Sequence, residues 1–523
     1  MTNPSSNTPP EPNINPLTRL IRWMRRPSTI VFGATSLTIG GVGYIGAQLW
    51  LYQNLPSLIE TELGKLLQRE VRVGEVESLS LSAIHIGPTS IPPTSTDSDT
   101  VSLESIKVNW DTLPLITGQP LPIKVTLVGV DASVDEAEQG KWVNFKPPEE
   151  ESELPVSLDI DIHLRDGQIA ILPYGETTPL MVQGGGKVNL LTKQSRPQQL
   201  KYDLAADIEG GKVRLNGETM LETGKTKALA RIQELPLPII ASLLPDSSIK
   251  VKQGQLNTNL NIQLPELKQL PTNLQEISKK ELPKAWGVVG LQGLEVEAEE
   301  LDEVVQAQAL LRFQGEKVRI EDTQGSYGDI KALVSGIVDG NKGLDLGVEL
   351  QPVGLPNLLK AISVQSPVDM AGEIQAKLAL KGSFDKPEVI GTVSNKKNTR
   401  IDQVEFSQIK ADFAANLREF QLKSLLVKPA TGGEFKARGK VKTKQGFIEY
   451  FQAKTTAAQQ EKPLPKEQQL KLGLDFATSL PVDPLLAKSY GLPSGITVGT
   501  LTSQGKLQGT LEKPTARLTW KIP

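Results

Sequence analysis

The chain has 523 residues, of which 38% are hydrophobic and 5% are aromatic, and it contains no cysteine. This apolar content is sufficient for a folded core, and the absence of cysteine excludes disulfides, thiolate metal sites and cysteine nucleophiles. A net charge of −3 and the scarcity of aromatic side chains argue against a polyanion-binding surface, so no nucleic-acid partner is expected.

The N-terminal region has the pattern of a membrane anchor. Residues 1–27 are predicted to be a disordered cytoplasmic tail, and residues 28–52 contain no charged side chain. The apolar stretch Ile30–Leu51 has about the 20 residues that a transmembrane helix needs. A cleaved signal peptide is the alternative, but this stretch exceeds the usual apolar core and the cleavage candidate near Gly46 is poor. By the positive-inside rule, the N-terminus stays in the cytoplasm because four arginines precede the span: Arg19, Arg22, Arg25 and Arg26.

A short helix after the anchor is predicted from the capping-box spacing of Ser57 and Glu60 and from apolar residues on one helical face. Beyond Val71 the sequence alternates between apolar and polar residues, most clearly in Leu256–Leu264, where every second position is an amide from Asn257 to Gln263. Such alternation is typical of an antiparallel sheet with one face in water. The same pattern recurs in 158–165, 344–350, 374–381 and 470–476.

A larger unit repeats along the chain, consisting of an alternating strand, a proline-containing helix start and a strand that opens with glycine. Short helices are therefore predicted near residues 238, 356 and 484. The repeats stay in phase, because the spacings between the prolines match those between the glycines to within one residue. The aligned positions are Pro238, Pro356 and Pro484, followed by Gly254, Gly372 and Gly499.

No motif predicts catalysis, and we expect neither a metal nor a cofactor. His85 and His163 each stand alone in a strand pattern, and Asp159 and Asp161 fit the solvated face of a strand better than a metal site. The stretch 217–226 resembles a phosphate loop but has two residues too many between its glycines, so a hairpin turn is preferred. Residues 184–187 are interpreted as a loop, and the acidic stretch 147–153 as a solvated loop.

The first 150 residues resemble the opening of the TamB proteins, a branch of the AsmA-like superfamily, and above all the form found in photosynthetic bacteria and plastids. The resemblance lies in the order and spacing of several segments after the anchor, and the repeats cover the remainder more loosely. The matching segments are 63–76, 84–91, 97–99, 101–110, 113–115 and 140–142.

The resemblance implies a mainly β fold, in which an N-terminal transmembrane helix precedes a long antiparallel sheet that is curved into an apolar-lined trough with a few short helices. Residues 53–150 would begin an AsmA-like ectodomain, and residues 151–523 would form the repetitive trough. At roughly 13 residues per strand and turn, about 36 strands would extend on the order of 170 Å. A sandwich or a closed barrel needs the same alternation, so the pattern alone does not choose between them.

The resemblance also implies a single-pass inner-membrane protein with a periplasmic ectodomain and no enzymatic activity. It would support outer-membrane biogenesis by carrying phospholipid or another acyl lipid, or by assembling outer-membrane proteins with an Omp85-type barrel partner. A structural periplasmic scaffold with a closed, filled β-core is the alternative, and an envelope hydrolase is a third possibility without a supporting constellation of residues. Since the long C-terminal region of the family does not follow Pro523, we expect either a fragment or a different means of docking. The predicted lipid-contacting face comprises Leu260, Ile262, Leu346, Val348, Leu378, Leu472 and Leu474.

Overall fold

The computed structural model describes the chain from Arg69 onward, with gaps, and the predicted tail, anchor and connecting helix lie outside the described residues. In the described part, no helix is both long enough and apolar enough to span a bilayer. The described residues are 69–95, 97–111, 114, 118–136, 157–193, 196–242, 249–266, 282–298, 303–361, 366, 368–447, 449–450, 469–485, 499–510 and 513–521.

The described protein is mainly β, with 28 strands in one sheet and a few short helices. Period-two alternation leads to this result, because each strand can place its apolar residues on one side and its polar residues on the other. The helices are α1 (Leu237–Ser242) and α2 (Leu355–Ala361). The strands are β1 (Val76–Leu79), β2 (Ala83–Ile86), β3 (Thr89–Ile91), β4 (Thr100–Leu103), β5 (Ser105–Trp110), β6 (Leu121–Val128), β7 (Asp131–Asp135), β8 (Leu158–Leu172), β9 (Leu180–Lys193), β10 (Arg196–Ile208), β11 (Gly211–Met220), β12 (Thr226–Pro236), β13 (Ile249–Leu264), β14 (Lys284–Ala298), β15 (Val305–Gly315), β16 (Lys317–Tyr327), β17 (Ile330–Asp339), β18 (Gly343–Gly354), β19 (Met370–Ala371), β20 (Glu373–Gly382), β21 (Glu388–Asn395), β22 (Thr399–Ile401), β23 (Val404–Asn416), β24 (Glu419–Pro429), β25 (Glu434–Lys442), β26 (Lys471–Pro481), β27 (Thr500–Thr510) and β28 (Pro514–Lys521).

Most strands form a single row that follows the chain. The row runs β1, β2, β5, β6 and then β8 to β18, continues through β20, β21 and β23, and ends with β24 to β28. The other five strands are short and pair beside it: β3, β4 and β7 join the second half of β8, and β19 and β22 join the start of β23. Among the described pairings, β1 contacts β2 alone and β28 contacts β27 alone, so the row is open at both ends.

The sheet is mixed, which corrects the prediction of a purely antiparallel one. β8 runs parallel to β6 along its first half and to β7 along its second half. A parallel pair requires a crossover of a dozen or more residues, and the chain between Asp135 and Leu158 is long enough to provide it. A pattern of alternation carries no information on strand direction, so the sequence did not reveal this crossover.

The row is also shorter than expected. Its 22 inter-strand spacings of about 4.8 Å give a length of about 106 Å along the sheet, against roughly 170 Å from the sequence. Two features of the described strands contribute to the difference: β8 and β13 have 15 and 16 residues, and five strands lie beside the row without lengthening it. The larger figure also counted residues that lie outside the described part of the chain.

The three repeat units have equivalent surroundings. The helices α1 and α2 contain Pro238 and Pro356, and Pro484 lies in helical residues 482–485. Each helical segment connects two antiparallel neighbours, namely β12 to β13, β18 to β20, and β26 to β27. Successive units are six strands apart in the row, so all three segments lie at the same edge of the sheet. Two of them share a hydrogen bond of the same kind, in which Leu355 N donates to Gly372 O at 2.9 Å and Val482 N donates to Gly499 O at 2.8 Å.

Residues 184–187, which we interpreted as a loop, lie inside β9. The three glycines stand where neighbouring backbone comes very close: a Cβ on Gly184 would meet the backbone of Ala205 and Ala206, and one on Gly186 would meet that of Asp203 and Leu204. Glycine here therefore permits a close approach of strands and does not mark a turn.

Candidate functional site: a continuous apolar face

Strand register decides which residues share a face, because directly paired residues of neighbouring strands point to the same side of a sheet. From Leu260 in β13 the pairing passes through Gly287 and Phe313 to Val318 in β16. It continues through Val338 to Leu344 in β18, which is two residues before Leu346. We call this side of the sheet the apolar face and the opposite side the polar face.

The same pairing reaches the C-terminal strands. Leu346 pairs with Leu380, two residues after Leu378, and Leu378 pairs with Gly391 in β21. From Gly391 the register passes through Phe413, Leu422 and Gly439 to Leu474 in β26. The structure thus brings all seven residues that the sequence singled out onto one face: Leu260, Ile262, Leu346, Val348, Leu378, Leu472 and Leu474.

The apolar face also extends to the first described strands. From Leu260 the register leads through Ala230, Leu215 and Leu204 to Gly186, and then through Leu164 to Leu127 and Ile106. The sequence did not single out these N-terminal residues, although the alternation around Ile84 and Ile86 contained the signal. The N-terminal apolar residues on this face include Val76, Leu79, Ile84, Ile86, Ile106, Val108, Trp110, Ile123, Val125, Leu127, Ile160, Ile162 and Leu164.

No Asp, Glu, Lys or Arg of the described strands occupies the apolar face along this row of pairs. The charges lie on the polar face, where they form cross-strand ion pairs. Arg214 donates to both carboxylate oxygens of Asp203 at 3.0 and 3.2 Å, and these hydrogen bonds hold the pKa of Asp203 below its ordinary value. Near the C-terminal end, Lys440 and Lys442 contact Glu419 at 2.7 and 2.8 Å and lower its pKa in the same way.

Most of the apolar face is partly exposed, although Leu235, Val353 and Ile374 on it are buried. In β13 and β18, Leu260, Ile262, Leu346 and Val348 are partly exposed, whereas the intervening residues of the polar face are exposed. Within the described residues no second sheet packs on the apolar face, and the single cluster of buried apolar side chains lies at the N-terminal end. That cluster consists of Val76, Ile84 and Ile86.

Aromatic side chains occupy the apolar face in the C-terminal third. Phe413 and Phe420 stack with ring centroids 5.4 Å apart, and Phe435 and Phe476 do so at 6.1 Å. The predicted lipid-contacting face included none of the four, although Phe476 ends the alternating stretch 470–476. Strands β23 and β24 contain irregularities between residues 412 and 425 that interrupt strict alternation, so the period-two pattern is weaker there than in β13.

Glycines interrupt the apolar face at places where a side chain would not fit. A Cβ on Gly287 would meet the backbone of Asn259, and one on Gly336 would meet that of Asp345 and Leu346. Gly287 and Gly336 have backbone φ angles of 133° and 136°, which L-residues other than glycine rarely adopt. Two strand glycines of the polar face have more room: the nearest atom to a Cβ on Gly347 is Ser335 O at 3.8 Å, and a Cβ on Gly473 would meet nothing within 4 Å.

The other motifs do not form a chemical site. His85 Nδ1 lies 2.9 Å from a carboxylate oxygen of Glu77, and His163 Nε2 lies 3.2 Å from one of Asp161, both on the polar face. The described residues contain no group of three or more side chains that could hold a metal ion. Residues 221–225 connect β11 to β12, and Met220 N donates to Lys225 O at 2.9 Å across the turn.

Searches of protein-family models, of curated proteins and of solved structures gave no match to this chain.

Proposed function

We propose that the protein is a membrane-anchored envelope bridge whose apolar face carries phospholipid or another acyl lipid. The observation that carries this proposal is the uncharged, partly exposed apolar face that continues from β1 to β28. Each methylene of an acyl chain gains about 0.8 kcal/mol on leaving water, so a chain of about 15 methylenes needs apolar contact along its whole path. A continuous apolar face meets this requirement, whereas isolated apolar patches do not.

The apolar face is proposed to be the concave side of a curved trough. In a flat single sheet both faces would be equally exposed, so the partial burial of Leu260 and Leu346 is explained if the sheet bends toward the apolar side. Irregularities in register interrupt most of the pairings from β8 to β25, and bulges of this kind bend strands. Glycines such as Gly287 and Gly336 act in the same direction, since they allow kinks that close contacts would otherwise prevent.

The alternative function is a structural periplasmic scaffold with a closed, filled core. Two observations favour the lipid-carrying function over it. The described row of strands is open at both ends. Large apolar residues of its middle such as Leu260, Leu346 and Val348 remain partly exposed instead of packing as in a protein interior, although Val353 and Ile374 are buried.

The proposed cellular setting rests on the predicted anchor and on the family resemblance. We place the protein in the inner membrane, with a single span, a cytoplasmic N-terminus and a periplasmic ectodomain. An Omp85-type barrel in the outer membrane is the proposed partner. The length of about 106 Å makes the described sheet a substantial part of a path between two membranes.

A photo-crosslinking experiment tests the proposal directly. A crosslinking amino acid is introduced at Leu346 on the apolar face, or at Glu349 on the polar face of the same strand, and adducts are identified by mass spectrometry after illumination in cells. We expect lipid adducts at Leu346 and none at Glu349. Equal yields at the two positions, or adducts to protein alone at Leu346, would contradict a lipid-carrying face.

A further inference from the structure

The polar face has an open depression across β23 to β28 with an unusual excess of positive charge. Its volume is about 990 Å³, and two carboxylate side chains line it, those of Asp412 and Asp475. Six cationic side chains line the same depression: Lys410, Lys423, Lys436, Arg438, Lys506 and Arg517.

Register places several of these charges directly beside one another. Arg438 pairs in register with Asp475, Asp475 with Lys506, and Lys506 with Arg517, so three cations and one carboxylate form a ladder across four strands. Like charges directly opposite in a sheet destabilise it, and Lys506 and Arg517 are such a pair. An anion bound between them would remove that repulsion.

The carboxylates of the depression are already engaged. Asp412 accepts hydrogen bonds from the hydroxyls of Thr392 and Ser424, both at 2.7 Å. Asp475 lies 3.7 Å from Lys506, and Lys436 pairs with Glu434 outside the cationic ladder. Besides the hydrogen bonds from Thr392 and Ser424, the charges of Lys410 and Lys423 lower the pKa of Asp412. No described carboxylate lies within ion-pair distance of Lys410, Lys423, Arg438 or Arg517.

A second depression on the polar face lacks this excess. It lies across β9 to β13, has a volume of about 500 Å³ and is lined by Lys187, Lys201 and Lys227 together with Asp203 and Glu218. Lys227 lies 3.9 Å from Glu218, and Asp203 is hydrogen-bonded to Arg214. The polar face therefore does not concentrate cations in every hollow, and the C-terminal depression differs from the N-terminal one in charge balance.

We propose that the C-terminal depression binds an acidic segment of a partner protein. This function goes beyond lipid carriage, since it uses the opposite face of the sheet. Five inter-strand spacings of about 4.8 Å make the region from β23 to β28 about 24 Å wide, enough for an extended peptide of seven residues. Clusters of Arg and Lys recognise acidic peptide motifs through charge-assisted hydrogen bonds.

The shape of the site favours a polypeptide over the surface of an anionic membrane. A bilayer is flat on this scale and contacts the rim of a depression, whereas a peptide side chain enters it and reaches Ser424 or Gln504 beside the cations. A single small anion would occupy a minor part of about 990 Å³ and would leave most of the cations without a partner.

Fluorescence anisotropy tests this inference with the full-length protein in nanodiscs of zwitterionic lipid. The probe is a labelled twelve-residue peptide of alternating Glu and Ser, titrated at about 50 mM salt, where charge interactions are weakly screened. The test variant carries Lys423→Gln, Arg438→Gln and Arg517→Gln, which removes three cations without breaking an ion pair between described residues. The matched control carries Lys187→Gln, Lys201→Gln and Lys227→Gln, which changes the net charge equally in the N-terminal depression.

We expect the wild type to bind the peptide, the test variant to bind about tenfold more weakly, and the control to differ by less than about twofold. Equal weakening in both variants, or no binding by the wild type, would overturn the proposal. Co-flotation with phosphatidylglycerol vesicles without peptide binding would also overturn it in favour of a membrane surface. If the test variant loses its strand signal in circular dichroism, the pair Lys423→Gln and Arg517→Gln replaces it, with an expected weakening of about fivefold.

Discussion

A lysine on the apolar face should separate a lipid-carrying trough from a filled core. Leu346 is partly exposed, and its cross-strand neighbours are Gly336 and Leu380, so one side of its position has no side chain. In an open trough, Leu346→Lys keeps its stem on the apolar surface while the ammonium group reaches water. Burying a leucine contributes about 1.5–3 kcal/mol, and a stem that retains half of this leaves a loss of about 1 kcal/mol. In a filled core the same change buries an unpaired charge and costs about 4 kcal/mol or more.

The assay combines thermal melting with crosslinking to labelled lipid, applied to Leu260→Lys and Leu346→Lys. We expect a Tm within about 2–4 °C of the wild type, together with loss of lipid crosslinking. Asn261→Lys is the matched control, because it adds the same charge to the polar face beside Leu260 and should change neither result. Loss of folding in both apolar-face variants would refute the open trough and support the scaffold.

Three further outcomes are expected. Gly336→Ala should destabilise the fold by about 1–3 kcal/mol because its φ is 136°, while Gly347→Ala on the neighbouring strand should be neutral or slightly stabilising; denaturant melts would show equal effects if the backbone is relaxed at both sites. The pKa of Glu419 is lowered by two lysines, so its stabilising effect is present above the ordinary carboxyl pKa of about 4.3 and is lost as pH falls through the lower folded value. The difference in Tm between wild type and Glu419→Gln should therefore close on acidification from pH 7 to 3, and a constant difference would contradict this role. A reporter fused after Tyr52 should be active outside the cytoplasm, and cytoplasmic activity would reject the predicted orientation.

The alternation of the sequence correctly indicated the class of fold and which residues share a face. Leu260 and Leu346 are five strand spacings apart in the row, yet they lie on one side because period two fixes side-chain direction within each strand. The repeat of proline and glycine positions likewise identified α1 and α2 in equivalent places. Alternation and helix starts depend on residues close together in the chain, so a sequence pattern can predict them.

Turn chemistry was less reliable. The glycines of 184–187 suggested a loop, but they lie in β9, where the backbone of β10 comes too close for a side chain. The same residue type serves a turn at Glu209–Gly210, where both residues have positive φ. In β9 glycine permits a close approach of two backbones, and in the turn it permits a positive φ. The neighbouring strands decide which of the two applies.

The sequence by itself determined that strands with one apolar and one polar side dominate this protein, because alternation and helix starts depend on residues that are neighbours in the chain. The tertiary structure alone decided the parallel pairing of β8 and the number of described strands that join the row, since both depend on contacts between distant segments. It also decided the distribution of charge. A net charge of −3 does not indicate a cationic depression, which exists because register brings Arg438, Lys506 and Arg517 from three strands into one line across β25 to β28.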